Sequence, residues 1–185
     1  RLAALPKAKW GPIASVHAKV LCPSMPNGQQ WYVGVGPNGD DASRLGGAKQ
    51  LASPTKRVWR AGVWQHFALQ YDGGGQGSLW VDGALARTFT GVNEKWSASC
   101  SLNLGGYFDG ASHALGAELA SLRLSKRARY GQSFSPATSL QDDTDAIWAF
   151  DFDEGAGALA KGADGIFKID VSKATWLKKG PACAK

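Results

Sequence analysis

Residues 64–90 constrain the fold of this chain more than any other stretch. Apolar and polar residues alternate at 66–71. Phe67, Leu69 and Tyr71 share one face of an extended chain, and His66, Ala68 and Gln70 share the other. The glycine-rich residues 72–77 then form a turn. A second alternation ends at Asp82 and Gly83, a pair that tolerates the positive φ angles of a tight hairpin turn. The stretch therefore predicts three consecutive antiparallel strands.

Short strands are predicted along the rest of the chain as well. Apolar runs bounded by turn residues occur at 13–21, 31–35, 58–60, 101–105, 119–125, 148–152, 166–169 and 174–177. About ten or eleven short strands, with frequent glycine turns and no helix, favour two antiparallel sheets packed face to face. The expected fold class is therefore all-β.

Several of these segments resemble a known family. WxHFA at 64–68, YDG at 71–73 and LxVDG at 79–83 resemble the central strands of the laminin-G-like and pentraxin-like domains of the concanavalin A-like superfamily. LASLRLS at 119–125 with ARY at 128–130, and WAFDFDEGAG at 148–157 with ATW at 174–176, resemble later segments of bacterial laminin-G-like domains. The resemblance covers most of residues 13–176 and implies an antiparallel jelly-roll β-sandwich.

The domain organisation follows from the length and from this resemblance. A chain of 185 residues suits a single domain, which we expect to span 1–185. Members of the resembled family usually begin with strands ahead of the segment matched by residues 13–19, and this chain has almost nothing there. Three explanations stay open: the late strands at Trp148 and Trp176 close the sandwich, a preceding part has been removed, or the missing strands come from elsewhere.

Composition and charge narrow the classes of function. A content of 24 Gly and 8 Trp with only 19% charged residues is typical of a strand-rich extracellular module, so we expect a secreted or cell-surface protein. No run of about 18 apolar residues predicts a membrane span. The net charge of +6 favours acidic partners such as anionic polysaccharide. Nucleic acid is not an expected partner, because no helix-turn-helix, RNA-binding or zinc pattern accompanies the charge.

The tightest basic cluster supplies one candidate ligand site. Lys126, Arg127 and Arg129 follow the predicted strand at 119–125, and they could bind an anionic glycan. A solvated turn is the alternative interpretation, and by resemblance Arg129 precedes a structural position at Tyr130.

Two tryptophans supply a second candidate. Trp80 lies on the opposite face from Leu79 and Val81, and Trp96 falls in a loop, so either could offer a flat ring on which a sugar stacks. The alternative is that both belong to the core.

Calcium is the one cofactor that we expect from the sequence. The loop carboxylates Asp142, Asp143 and Asp145 could supply hard oxygen ligands, and the resemblance to laminin-G-like domains implies a calcium site at the rim of the sheets. Asp40, Asp41 and Asp109 are further loop carboxylates of the same kind. A solvated loop is the alternative.

The three cysteines do not favour a zinc site. Cys22, Cys100 and Cys183 are far apart and form no C-x-x-C pair. A disulfide is expected, and all three pairings stay open.

An enzymatic role has little support in the sequence, although the resembled superfamily includes glucanases. Such enzymes need a pair of carboxyl groups held a few ångströms apart. The only glutamates are Glu94, Glu118 and Glu154, and no strand is rich in glutamate. His17, His66 and His113 share no strand or helix face, and neither G-x-S-x-G nor H-E-x-x-H occurs.

The first functional hypothesis is therefore a non-catalytic binding or adhesion module for a glycan or protein ligand. The alternative is a structural domain of a larger secreted or surface protein. A glycan-cleaving enzyme is the third and weakest hypothesis.

The core is expected to contain the apolar side of each alternation. The residues predicted to be mostly buried are Trp64, Phe67, Leu69, Val81, Leu122, Trp148 and Phe150.

The strand and turn pattern predicts a far-ultraviolet circular dichroism spectrum of a β protein. We expect less than about one tenth of the residues to be helical, because no segment favours a helix. A spectrum dominated by the double minimum of a helix would contradict the fold class.

Overall fold

The computed structural model describes residues 1–6, 10–17, 30–46, 49–50, 58–92, 102–106, 115–137, 140, 144–152, 156–157, 159–161, 168–170 and 175. These residues form eleven strands and no helix. The strands are β1 (Gly11–His17), β2 (Gln30–Val35), β3 (Lys49–Gln50), β4 (Phe67–Tyr71), β5 (Gln76–Val81), β6 (Ala84–Thr90), β7 (Asn103–Leu104), β8 (Leu122–Ser125), β9 (Ala146–Phe150), β10 (Leu159–Lys161) and β11 (Lys168–Asp170). All named strands pair antiparallel, which confirms the predicted all-β class.

The chain divides into two compact units. The first contains Arg1–Glu118 and Tyr130–Phe134, and the second contains Leu119–Arg129 and Ser135–Lys185. In the first unit, one sheet has the strand order β2-β1-β7 and the other has the order β3-β6-β5-β4. The second unit has the two-stranded sheets β8-β9 and β10-β11. The expectation of a single domain over 1–185 stays a prediction.

The central stretch folds as the sequence predicts. β5 pairs with both β4 and β6, so that residues 67–90 form three consecutive antiparallel strands. Asp82 and Gly83 have φ angles of 50° and 80°, and both therefore adopt the left-handed conformation that a two-residue hairpin turn requires. This turn fixes the β5–β6 register, in which Val81 lies opposite Ala84. In the β4–β5 register, Phe67 lies opposite Val81 and Gln70 lies opposite Ser78.

The core of the first unit lies on strands from both of its sheets. Its most deeply buried apolar side chains are Phe89, Leu79, Val33 and Val35. Each lies in a strand with at least one hydrogen-bonded neighbour, and alternation turns these side chains to one side of their strand. Pro12 is also fully buried and lies at the irregularity where β1 shifts its pairing with β2, because proline has no backbone N–H to donate.

The expected core is confirmed in part. Val81 and Phe150 are buried. The other five residues of that set, Trp64, Phe67, Leu69, Leu122 and Trp148, are only half-buried, and for them the prediction was too strong. β4 is the last strand in the order of its sheet, and β8 and β9 form a sheet of two strands. Side chains on such strands have fewer neighbours than those on a central strand.

Strand boundaries differ from the predicted ones where the pattern was weakest. Residues 58–60 are not a strand: the Trp59 backbone N–H donates to the Gly39 carbonyl at 2.9 Å, and Ala61 forms an isolated bridge with Leu2. The predicted strand at 166–169 is found as β11, while β3 and β10 were not predicted. Most of the predicted strand at 174–177 lies outside the described residues.

The second unit carries an aromatic row on β9 and the residues after it. Leu122 pairs with Phe150 and Leu124 with Trp148 in the β8–β9 register. The ring centroids of Trp148 and Phe150 are 5.4 Å apart, and those of Phe150 and Phe152 are 5.9 Å apart. Trp148 and Phe150 are two residues apart in β9 and share one face, as the alternation predicts. Phe152 lies beyond the strand with a φ of 49°, and its ring stacks on that of Phe150.

Phe150→Ala should lower the free energy of unfolding by about 3–5 kcal/mol, because it removes a large side chain that is only 2% exposed. Ile147 in the same strand is 39% exposed and serves as the matched control. Ile147→Ala should cost less than about 1 kcal/mol in the same denaturant melts. Equal losses in the two variants would contradict the orientation of β9.

Candidate functional site

The basic turn after β8, formed by Lys126, Arg127 and Arg129, is exposed. The Lys126 backbone N–H donates to the Asp145 carbonyl at 2.8 Å, which ties the turn to the residue that precedes β9. The Lys126 ammonium donates to the Thr144 carbonyl at 3.2 Å. The turn is thus held to the opposite strand end by its own backbone and side chains.

Arg127 and Asp145 form a two-pronged ion pair in this turn. Arg127 Nε donates to Asp145 Oδ2 at 3.0 Å, and Nη2 donates to Oδ1 at 2.8 Å. The sequence assigned Arg127 to an anionic ligand and Asp145 to calcium, and the structure instead brings the two side chains together. The charges of Arg127 and Asp145 partly neutralise each other. Lys126 and Arg129 are the two basic side chains of the turn that do not belong to this pair.

The calcium candidates are placed only in part. Asp142 and Asp143 lie outside the described residues, and Asp145 is paired with Arg127. Among the described residues, no group of three or more His, Cys, Asp or Glu side chains could hold a metal ion. Calcium binding at this loop therefore stays a prediction, and it would require Asp145 to exchange its contact with Arg127 for the ion.

Asp41 belongs to a buried ion pair in the first unit. Arg87 Nε lies 2.6 Å from Asp41 Oδ2, and both side chains are almost fully buried. Asp41 Oδ1 accepts from the Ser43 backbone N–H at 2.8 Å, and the Ser43 hydroxyl accepts from the Gly34 N–H at 3.0 Å. A buried carboxylate with these partners organises the loop after β2 and is not open to a metal ion. Asp109 lies outside the described residues.

Trp80 is covered, contrary to the expectation of an open ring. It is 5% exposed, its indole N–H donates to the Ser78 hydroxyl at 2.9 Å, and its ring centroid is 6.0 Å from that of Phe134. The alternation correctly separated Trp80 from Leu79 and Val81, but it could not show that another segment packs on its face. The second stacking candidate, Trp96, lies outside the described residues.

The segment that packs on this face is Tyr130–Phe134, which we call the covering segment. The Gln70 side chain on β4 binds its first residue from both sides: Nε2 donates to the Tyr130 carbonyl at 2.5 Å, and Oε1 accepts from the Tyr130 N–H at 3.2 Å. At the other end, the Phe134 N–H donates to the Gly83 carbonyl at 3.0 Å. A glutamine side chain thus pairs with a backbone as a neighbouring strand would.

Aromatic rings fill the space between the covering segment and the sheet. The rings of Tyr130 and Phe134 are stacked with centroids 3.7 Å apart, and the His66 ring stands at right angles to both. His66 Nδ1 is buried and has no hydrogen-bond partner. Burial lowers the pKa of His66, an effect partly opposed by the carboxylate of Asp82.

Asp82 connects this region to the hairpin turn. Its Oδ1 accepts from the His66 backbone N–H at 2.9 Å, and its Oδ2 accepts from Arg60 Nη2 at 2.8 Å and from Gln65 Nε2 at 2.9 Å. Sequence reasoning did not identify Gln70, Phe134 or Asp82 as parts of one site. The only signal was the resemblance at ARY, which marks Tyr130 as structural.

Of the three glutamates in the sequence, only Glu118 lies in the part of the chain that the structure describes. Glu118 binds Arg1, with Oε1 2.7 Å from Nη2, and the hydrogen bond from Arg1 lowers the pKa of Glu118. Glu94 and Glu154 lie outside the described residues, as do Cys22, Cys100, Cys183 and His113. His17 lies in β1, but its side chain is not described. The described residues contain no helix long and apolar enough to cross a membrane.

Comparison with known proteins identifies one family. Residues 9–133 match a laminin-G-type family model whose description is the concanavalin A-like lectin/glucanases superfamily. The match spans well over half of the 185 residues and includes the whole central hairpin. No curated protein and no solved structure matches the chain.

Gln70→Ala should destabilise the protein by about 1–3 kcal/mol, because it leaves the Tyr130 backbone N–H and carbonyl without their partner. The matched control is Gln76→Ala, at an exposed position on the adjacent strand β5, which should change stability by less than about 0.5 kcal/mol. Denaturant melts of both variants check the prediction, and a loss at Gln70 no larger than at Gln76 would contradict it.

Proposed function

Because the chain belongs to the concanavalin A-like lectin/glucanase superfamily, we propose that it is a non-catalytic binding module of a secreted or cell-surface protein, with a glycan or protein ligand. The lowered pKa of Glu118 is the observation that supports the non-catalytic part of the proposal. A glycosidase needs a general acid whose pKa is raised, together with a second carboxylate nearby. The pKa of Glu118 is instead lowered by its hydrogen bond with Arg1, which keeps the carboxyl group ionised.

The other carboxylates with described partners support the same proposal. Asp41 is buried against Arg87, Asp82 binds Arg60, and Asp145 binds Arg127. A carboxylate that is bound to a guanidinium in this way fixes the position of a loop. We therefore assign these side chains to the structure of the module.

For the ligand, we propose an anionic polysaccharide at the basic turn. Lys126, Arg127 and Arg129 are all exposed, and the ion pair with Asp145 holds the middle residue in place. Lys126 and Arg129 would then supply the charges that meet sulfate or carboxylate groups, while Arg127 keeps the turn in its conformation. Calcium remains a proposed ligand of the loop carboxylates, and a glycan array with and without calcium would show whether it contributes.

The alternative is a structural domain of a larger protein, which the Arg127–Asp145 pair also supports. That pair leaves the turn less basic than its sequence indicates. In this case the remaining charges would serve solubility, and no polysaccharide would depend on their position.

Heparin chromatography distinguishes the two. Lys126→Ala combined with Arg129→Ala should move elution to a clearly lower salt concentration, because the site loses two charges whose attraction is screened over about 8 Å at physiological ionic strength. The melting temperature should change little, since exposed ion pairs are usually worth less than about 1 kcal/mol each. Arg127 is left in place so that Asp145 keeps its partner.

The matched control is Lys178→Ala combined with Lys179→Ala, which removes the same formal charge from another basic pair in the sequence. It should elute close to the wild-type protein. Equal shifts in the two double variants would mean that retention reflects net charge alone, and the structural alternative would then be preferred.

A further inference from the structure

Among the described residues, the covering segment is held to the sheet by hydrogen bonds and ring contacts and not by strand pairing. Its backbone makes two hydrogen bonds to Gln70 and one to the Gly83 carbonyl. Its two rings contact His66, and the ring of Phe134 also contacts Trp80. A segment of five residues attached in this way can separate from the sheet without breaking any strand pair.

His66 lies beside the Tyr130–Phe134 stack, where the ring edges face it. Its ring centroid is 6.1 Å from that of Tyr130 and 5.5 Å from that of Phe134, and the two stacked centroids are 3.7 Å apart. A ring above either end of the stack would be farther from one centroid than from the other by about the whole stacking distance. Because the two distances are nearly equal, His66 meets the rims of the rings, and these carry the positive end of the aromatic quadrupole.

A proton on His66 would therefore be unfavourable in this position. An imidazolium beside two positive ring edges gains no cation–π attraction, which requires the ring face. Nδ1 is buried without an acceptor, so the added N–H of the charged form would have no partner. These geometric reasons agree with the lowered pKa of His66.

The charged and titratable groups around His66 do not remove this cost. Asp82 attracts the imidazolium, but its oxygens already accept from the His66 backbone N–H, Gln65 and Arg60. Arg60 is positive and is bound to that same carboxylate. Tyr130 contributes a ring from the covering segment, and the neighbouring Arg129 is exposed and positive.

We infer that protonation of His66 weakens the attachment of the covering segment, so that Tyr130–Phe134 separate from this face of the sheet more often in mildly acidic solution than at neutral pH. When the segment separates, His66 becomes solvated and its pKa returns toward the ordinary value of about 6.5. The open form then binds more protons than the closed form between the two pKa values, so opening becomes more favourable as the pH falls through that window. Release uncovers Trp80, Gln70 and Ser78, and it does not depend on the ligand proposed for the basic turn.

Amide hydrogen exchange measured by NMR tests the inference in the intact chain. The Tyr130 and Phe134 N–H groups are both hydrogen-bonded in the closed form. After correction for the intrinsic exchange rate, their protection should fall several-fold between pH 7.5 and pH 5.5, with an upper limit of about tenfold per pH unit below 6.5. Protection of the amides in the β5–β6 pair should stay constant, which separates local opening from global unfolding.

His66→Phe is the matched variant, because it keeps an aromatic ring against the covering segment and cannot be protonated. Its Tyr130 and Phe134 amides should be equally protected at the two pH values. The inference is overturned if the wild-type protection is independent of pH, or if His66→Phe retains the pH dependence. Should that variant not fold, the NMR titration of His66 in the wild-type protein decides, since a pKa at or above about 6.5 would also overturn it.

Discussion

The two-residue turn at Asp82 and Gly83 is the constraint on which the central hairpin and the position of His66 depend. Both residues have positive φ, and this geometry sets the register of β5 and β6. Register decides which side chains share a face, because a shift by one residue would exchange the two faces of a strand. The β4–β5 register in turn places Gln70 opposite Ser78, and Gln70 binds both the Ser78 hydroxyl and the backbone of Tyr130.

Asp82 extends the influence of the turn beyond the hairpin. Its carboxylate accepts hydrogen bonds from the backbone N–H of His66 and from the side chains of Gln65 and Arg60. The residues that lead into β4 are therefore bound to the end of β5. His66 is thereby held where the covering segment packs. The same turn thus organises the hairpin, the entry to β4 and the site at which a proton would act.

Ion pairs account for much of the difference between expected and observed sites. Charged side chains that the sequence marked for ligands are bound within the protein, as Asp41 is to Arg87 and Asp145 to Arg127. Burying or fixing a charge costs free energy unless a partner of opposite charge is present. Charged loop residues therefore tend to form ion pairs within the protein. The ligand surface proposed for the basic turn is therefore smaller than its composition indicates.

The sequence by itself determined the all-β class, the family resemblance and the central hairpin, because alternation and an Asp-Gly turn are local signals. It also separated the two faces of β5 correctly. Only the tertiary structure decided what covers each face and which charges meet. Gln70 and Tyr130 are 60 residues apart in the chain, Arg87 and Asp41 are 46 apart, and Arg127 and Asp145 are 18 apart. Such partners are chosen by the packing of distant segments, and no periodicity within either segment specifies them.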